Sequence, residues 1–336
     1  MSQDLLLLHR NEYYYAHSPK VSRLLEGPIS HELVSSYASR KTLERFVLVL
    51  SQTMQVNPDL VTLYHGAEDA LFKMLSWAAS QRMKVYTTSW GWAEYMRMMQ
   101  GLELEIRQTR LIRTTNSFEH PSDDFECELK NDHTPALVLL ASPNNPTGHA
   151  VSPAEISRLA QTYPHHVFLI DQVYAPFCSA TFAPLSGFKN VITLGSFSKF
   201  FGLPGLRCGF AVGRVPAVQS MALGPAPWAL SLCLAALHDV EHYQSNWNDM
   251  KASAEALTSI NSSVGHFIKT LAPFVLFSGK EGLTEDAIQK AQAEAQVQGK
   301  IIKTHSEVFV RWSLGSPEAQ SRISSCLQIL ESTACH

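Results

Sequence analysis

The chain has 336 residues, a length that fits two domains at about 150 residues each. Hydrophobic residues make up 45% of it, enough for a sizeable core without disulfide or metal staples. Lys and Arg number 27 against 30 Asp and Glu, a net charge of −3 with no long block of one sign, so neither a nucleic acid nor an anionic membrane is an expected partner. No apolar run reaches the roughly 18 residues of a spanning helix. Asp4 ahead of Leu5–Leu8 stands where a signal peptide carries Lys or Arg. The six cysteines (127, 178, 208, 233, 326 and 335) never form Cys-x-x-Cys, so reduced thiols in a cytoplasmic protein are expected rather than a disulfide framework. The 14 histidines show no ligand spacing; His120, His165 and His166 read as surface or loop residues, and no metal is expected.

In chain order, the first 30 or so residues carry no strong period and are read as running along the large domain or a partner. A helix is predicted from Ala67 through Ala79, with Leu71, Met74, Leu75 and Ala78 at helical spacing. Buried strands are predicted at Lys84–Thr87, Leu137–Leu140, Val167–Ile170, Val191–Leu194 and Gly209–Val212. Between them Ser152-Pro153-Ala154-Glu155 reads as a helix start, with Ser152 as cap and Glu155 completing a capping box. This alternation predicts an α/β fold with a mostly parallel sheet covered on both faces. After residue 240 the texture changes: a long helix over 241–262, a strand at Phe274–Phe277, a helix at Thr284–Gln298, a strand ending near Arg311 and a last helix from Pro317. The reading is a large domain over 30–240 and a small α+β domain built from 241–336 with the 1–29 segment.

Ligands of open parallel sheets bind beyond the carboxyl ends of the strands, so the residues following each strand matter most. Leu140 is followed by Ser142-Pro143-Asn144-Asn145-Pro146-Thr147-Gly148, Ile170 by Asp171-Gln172-Val173-Tyr174, and Leu194 by Gly195-Ser196-Phe197-Ser198-Lys199, with Arg207 eight positions on. Each piece alone has an ordinary structural reading: a turn, a helix cap, a solvated lysine.

Together and in this order they resemble the fold-type-I pyridoxal-phosphate (PLP) enzymes, and within them the aminotransferases of the histidinol-phosphate aminotransferase group. The likeness extends from about Asn11 to the last helix. It implies a PLP-binding large domain with a seven-stranded sheet and a small α+β domain. It also implies that Lys199 forms a Schiff base with the cofactor and shuttles the proton, while Asp171 pairs with the pyridine nitrogen. Asn145 and Tyr174 would hydrogen-bond the ring's phenolic oxygen. Gly66-Ala67-Glu68 at a helix start, Ser196, Ser198 and Arg207 would hold the phosphate. Trp90 would stack on the ring, with Trp92 two residues on as the alternative and a core role open for either. Tyr37 would reach the neighbouring subunit's phosphate in a homodimer. Arg311, in Val308-Phe309-Val310-Arg311-Trp312, would grip the substrate α-carboxylate, with Asn145 and Tyr13 as further substrate contacts.

The sequence also departs from the group. Asn11-Glu12-Tyr13 continues as Tyr14-Tyr15-Ala16 without the usual proline. Leu271–Phe277 replaces an Asn-aromatic segment, and beyond residue 240 the only arginines are Arg311 and Arg322, which weighs against a phosphorylated substrate. The implied activity is transfer of an amino group from an amino acid, or a similar amine, to a 2-oxo acid. A PLP-dependent decarboxylase, lyase or cyclase, or a non-catalytic PLP-binding protein, would use the same anchors.

Overall fold

The computed structural model describes residues 4–178, 185–216, 224–304 and 306–334; Cys335 lies outside them. The chain opens with a two-residue strand, β1 (Leu6–Leu7), and helices α1 (Pro19–Glu26), α2 (His31–Ser35) and α3 (Arg40–Met54). Each of the three helices starts at a serine whose hydroxyl accepts a first-turn amide: Ser18 from Val21, Ser30 from Leu33 and Ser39 from Thr42.

Strand and helix then alternate through β2 (Val61–Tyr64), α4 (Ala67–Ser80), β3 (Val85–Thr88), α5 (Ala93–Gly101) and β4 (Ile106–Thr109). A small antiparallel pair, β5 (Ile112–Arg113) and β6 (Phe118–Glu119), and α6 (Ser122–Lys130) lead to β7 (Leu137–Ala141), α7 (Pro153–Thr162), β8 (Val167–Asp171), β9 (Val191–Ser196) and β10 (Gly209–Gly213). These build a seven-stranded sheet in the order β2-β10-β9-β8-β7-β3-β4, parallel except that β10 runs against both neighbours.

Alternation along the central strands explains the two covered faces. Leu137 and Leu139 of β7 pack with Leu71, Met74 and Leu75 of α4, whereas Val138 and Leu140 pack with Ile156 and Leu159 of α7. Each such fully buried leucine contributes about 1.5–3 kcal/mol. The five strands predicted from apolar runs are all present. The two unpredicted ones, β2 and β4, are the sheet's edges, where partial exposure lets polar residues interrupt the run. At α7, Ser152 caps the Glu155 amide at 3.1 Å, but the Glu155 carboxylate turns to Arg158 at 3.0 Å, so the expected capping box is only half made.

The remaining chain forms α8 (Pro227–Leu237), α9 (Val240–Thr258), β11 (Gly265–Ile268), β12 (Phe274–Gly279), α10 (Glu285–Glu294), β13 (Val297–Gln298), β14 (Lys300–Lys303), β15 (Val308–Ser313) and α11 (Pro317–Ala334). A four-stranded antiparallel sheet runs β11-β12-β15-β14. The helix expected to reach Gln298 stops earlier, because Gln296 turns left-handed at φ 52° and the chain extends into β13. The N-terminal segment runs along the large domain only in part: Lys20 of α1 pairs with Asp239 at 2.7 Å, whereas β1 pairs in parallel with β13 and Ser313 of β15 donates its amide to the Leu8 carbonyl at 2.9 Å. His120 and His166 lie in loops as expected, yet neither is a surface residue. His166 is fully buried, and burial pushes the His120 imidazole down to about 4. Cys208, Cys233 and Cys326 are buried free thiols, while Cys127 is exposed.

Candidate active site

The carboxyl ends of β2, β3, β7, β8 and β9 share one rim, and there the four-stranded sheet and the N-terminal segment close over a cavity of about 690 Å³. Ala67, Glu68, Asn145, Asp171, Tyr174, Ser196, Ser198, Lys199, Arg207 and Arg311 all line it. The ordered motif set is therefore brought together in space.

Asp171 is the last residue of β8 and is 6% exposed. Its carboxylate accepts from the Tyr95 hydroxyl at 2.6 Å and from the Val173 amide at 3.0 Å. Burial raises its pKa, and the Tyr95 and Val173 hydrogen bonds and the Lys199 charge oppose that rise. Asp171 has no ion-pair partner among the described residues. Lys199 follows the Ser-x-Ser turn that ends β9; its Nζ donates to the carbonyls of Arg10 at 3.0 Å and Asn11 at 3.2 Å.

The turn after β7 is held by Asn144, whose Nδ2 donates to the Trp90 carbonyl at 2.8 Å and to Thr147 Oγ1 at 2.7 Å. This leaves Asn145 facing the cavity, where its Oδ1 accepts from the Arg311 guanidinium. Tyr174 is buried, and its hydroxyl accepts from Asn11 Nδ2 at 2.9 Å. Asn11 itself accepts from the Ser313 hydroxyl at 3.0 Å, fastening the N-terminal segment to β15.

At the start of α4, Gly66 sits at φ 87° with no side-chain cap on the first turn, leaving amides that suit an anion. A Cβ at Gly66 would stand 3.1 Å from the Arg207 guanidinium, and one at Gly209 would stand 2.4 Å from the Gly66 backbone. Arg207 pairs with Glu68 at 3.0 Å, both about half-exposed. The Ser196 and Ser198 hydroxyls, on the same cavity wall, meet at 2.9 Å.

Arg311 enters from β15. Its guanidinium donates to Asn145 and to the His9 carbonyl, its carbon lies 5.4 Å from the Phe274 ring centre, and its Nε is buried without a partner. Burial lowers its pKa, although guanidinium stays charged in proteins.

Three expected site residues stand elsewhere. Trp90 does not line the cavity: its ring packs against Phe118 at 5.2 Å and edge-on to Phe309 at 4.9 Å, and its backbone is left-handed at φ 64°. The tryptophan on the cavity wall is Trp92, edge-to-face with Tyr95 at 5.5 Å. Tyr13 is likewise off the wall, bonded to the Asn246 side chain and packed near Tyr15, His17 and Tyr243. Tyr37 is 89% exposed. Tyr95, His9, Arg10 and Lys300 were not singled out by motif, and no local pattern marks them.

Fold and site together define a PLP-dependent enzyme of fold type I. The chain belongs to the aminotransferase class I and II family, whose model matches residues 4–324. Among relatives, the aromatic amino acid aminotransferase of Mycobacteroides abscessus is 31% identical over 192 residues, 54% of each chain. The alignment therefore spans about half the length of that relative. The histidinol-phosphate aminotransferase of Leuconostoc mesenteroides is 25% identical over 334 residues, covering 96% of this chain and 90% of that one.

Solved structures share the fold. The histidinol-phosphate aminotransferase from Sinorhizobium meliloti in complex with pyridoxal-5'-phosphate superposes with a TM-score of 0.82 at 15% identity, covering 98% of this chain and 92% of that one. The L-threonine-O-3-phosphate decarboxylase from Porphyromonas gingivalis gives 0.74 at 18% identity, with 99% and 100% covered.

The residues present fit the family's cofactor. A buried carboxyl without a cation, uncapped amides beside a guanidinium, and a lysine amine share one cavity with an unpartnered Arg311 Nε.

Proposed function

We propose that this enzyme moves an amino group from an amino acid, or a similar amine, to a 2-oxo acid. The observation that carries this reading is the convergence of Lys199, Asp171 and Arg311 on one cavity from three separate stretches of chain. Bound PLP supplies an electron sink that makes the substrate Cα–H acidic. Lys199 would hold the cofactor's aldehyde carbon, and its Nζ would then take the proton from the substrate Cα. Asp171 would keep a proton on the pyridine nitrogen, with Tyr95 and the Val173 amide aiming its carboxylate. The α4 amides, Ser196, Ser198 and Arg207 would hold the phosphate, and Asn145 and Tyr174 the phenolic oxygen. Trp92, rather than Trp90, would cover the ring. Arg311 would orient the α-carboxylate so that the Cα–H bond faces Lys199, and the N-terminal segment would exclude water.

The reading extends to a cytoplasmic homodimer. Ile29 and Val34 are apolar and more than half exposed, near the exposed Tyr37, and this surface suits a second copy whose phosphate site Tyr37 would reach.

The test is a single-turnover panel of amino acids without acceptor, following the cofactor's visible spectrum and the products. One equivalent of 2-oxo acid per site is expected. Release of carbon dioxide or ammonia in its place would replace transamination by decarboxylation or elimination. Lys199→Ala is expected to abolish turnover and to leave no cofactor-labelled residue 199 peptide after borohydride reduction; label at another lysine would overturn the assignment.

A further inference from the structure

A short hairpin of the large domain grips the small sheet. Between β5 and β6 the turn is closed by Thr114 and Ser117, amide to carbonyl at 3.0 Å and hydroxyl to hydroxyl at 2.7 Å. Two carbonyls at its tip accept from the small domain: that of Thr115 from His266 Nε2 at 2.9 Å, and that of Asn116 from the Lys269 amide at 2.8 Å. Arg113, in β5, reaches further. Its guanidinium donates to the Ser278 hydroxyl at 3.0 Å and pairs with Glu307. The guanidinium carbon stands 5.1 Å from the Phe309 ring centre and 5.9 Å from that of Phe118.

An exposed ion pair alone contributes little, but Arg113 holds buried partners as well. Ser278 and Phe309 stand opposite each other in the β12–β15 register and are 1% and 0% exposed. Arg113 thus touches both central strands of the small sheet at one cross-strand pair. The site lies one step along. Phe309 and Arg311 are two residues apart on β15, so their side chains leave the same face about 7 Å apart. On the large-domain side, Trp90 packs edge-on to Phe309 at 4.9 Å, and its carbonyl accepts from Asn144, the neighbour of the Asn145 that receives Arg311. Both halves of the Arg311–Asn145 contact are therefore fastened to Phe309, one through β15 and the other through Trp90 and Asn144.

We propose that Arg113 is a positioning residue for Arg311. By holding Ser278, Glu307 and Phe309 against the large domain, it sets the place of β15 at which the Arg311 guanidinium meets Asn145 and a substrate carboxylate. Arg113 does not line the cavity, so it acts through the strand and touches no ligand. The inference rests on the aminotransferase reading, which gives Arg311 its carboxylate. A misplacement of about 1 Å in a group that orients a substrate is enough to be felt in binding and rate.

The test is calorimetric titration of the holoenzyme with 3-phenylpropionate and with 3-phenylpropionamide, which differ in the charge that Arg311 would meet. A charge-assisted contact of ordinary strength predicts a preference for the acid of about tenfold or more. Arg113→Met should cut that preference about fivefold, and Arg113→Lys, which keeps a charge for Glu307 but loses the fork that also reaches Ser278, should recover part of it. In an Arg311→Lys background, Arg113→Met should change the preference by less than about twofold, because both act through one guanidinium. Ser278→Ala removes one Arg113 contact and no charge; it should cut the preference about twofold and serves if Arg113→Met fails to fold. A preference unchanged by Arg113→Met, even with a lower melting temperature, overturns the inference, as does an equal cut in both backgrounds. Because the titration needs no turnover, failure of the amino-acid panel would count separately, against the aminotransferase reading.

Discussion

On the large-sheet side of the cavity, Asp171 and Arg207 already have partners: Asp171 with Tyr95 and Val173, Arg207 with Glu68. At the mouth, where the small sheet and the N-terminal segment meet, the exposed Arg10 and Lys300 have no ion pair among the described residues, and Arg311 keeps a buried Nε without an acceptor. The floor holds its carboxylate in a fixed direction, as a site that must stabilise developing charge should, yet leaves it without a paired cation among the described residues. The mouth leaves two exposed cations open to solvent. The two regions thus differ in hydrogen bonding: the floor's carboxylate is aimed by protein donors, whereas the mouth's exposed cations are not held by protein acceptors among the described residues.

The sharpest way to break this contrast is Asp171→Asn. Removing a preorganised charge from the floor should lower turnover by roughly a hundredfold to a thousandfold. The carboxyl's pKa is raised in the fold chiefly by burial, so its contribution to stability is present at low pH and is lost as pH rises through the folded value. At neutral pH the asparagine variant should therefore melt at the same temperature or higher. Steady-state kinetics beside a thermal melt checks this; turnover and stability falling together would make the floor mere scaffold.

A smaller effect separates the two tryptophans. Trp92→Leu should weaken PLP retention about tenfold, the loss of one stacked ring, whereas Trp90→Leu should cost about 2 kcal/mol of stability and leave retention within about twofold. Dialysis against buffer with spectral readout of the remaining cofactor distinguishes them, and the reverse order would return Trp90 to the ring.

The smallest effect lies beneath the Asn144 turn. Burial pushes both His120 and His149 from 6.5 down to about 4, and His149 Nδ1 bonds Thr147 Oγ1 at 2.7 Å. The stability of a neutral buried imidazole is complete above pH 6.5 and is lost as pH falls towards 4. His120 packs on Phe125 with neither ring nitrogen partnered, so His120→Phe should flatten the acid limb of stability. Urea unfolding at several pH values between 4 and 7 reads the slope; an unchanged slope would remove His120 from the account.

Much of the floor was legible in the chain itself. Asn145, Asp171, Ser196, Ser198 and Lys199 each lie within a few residues of a strand's carboxyl end, and in a parallel sheet that position alone delivers them to one rim. The continuous apolar runs marked the five central strands because burial on both faces leaves no room for polar residues. Edge strands β2 and β4, half in solvent, carry no such mark.

Tertiary structure alone decided the rest, because the contacts concerned join residues too far apart for any local period to register. Tyr95 reaches Asp171 across 76 positions, and Asn11 reaches Ser313 across 302. Lys300 faces Arg311 only through the register of two antiparallel strands, and a shift of one residue would turn its side chain to the other face. Trp90 and Trp92 are two residues apart, and the left-handed turn at Trp90 sends one into an aromatic cluster while the other stays on the cavity wall. The sequence by itself determined a cofactor rim, since strand ends converge whatever the rest of the chain does. Which charges face the cavity was left to packing between distant segments.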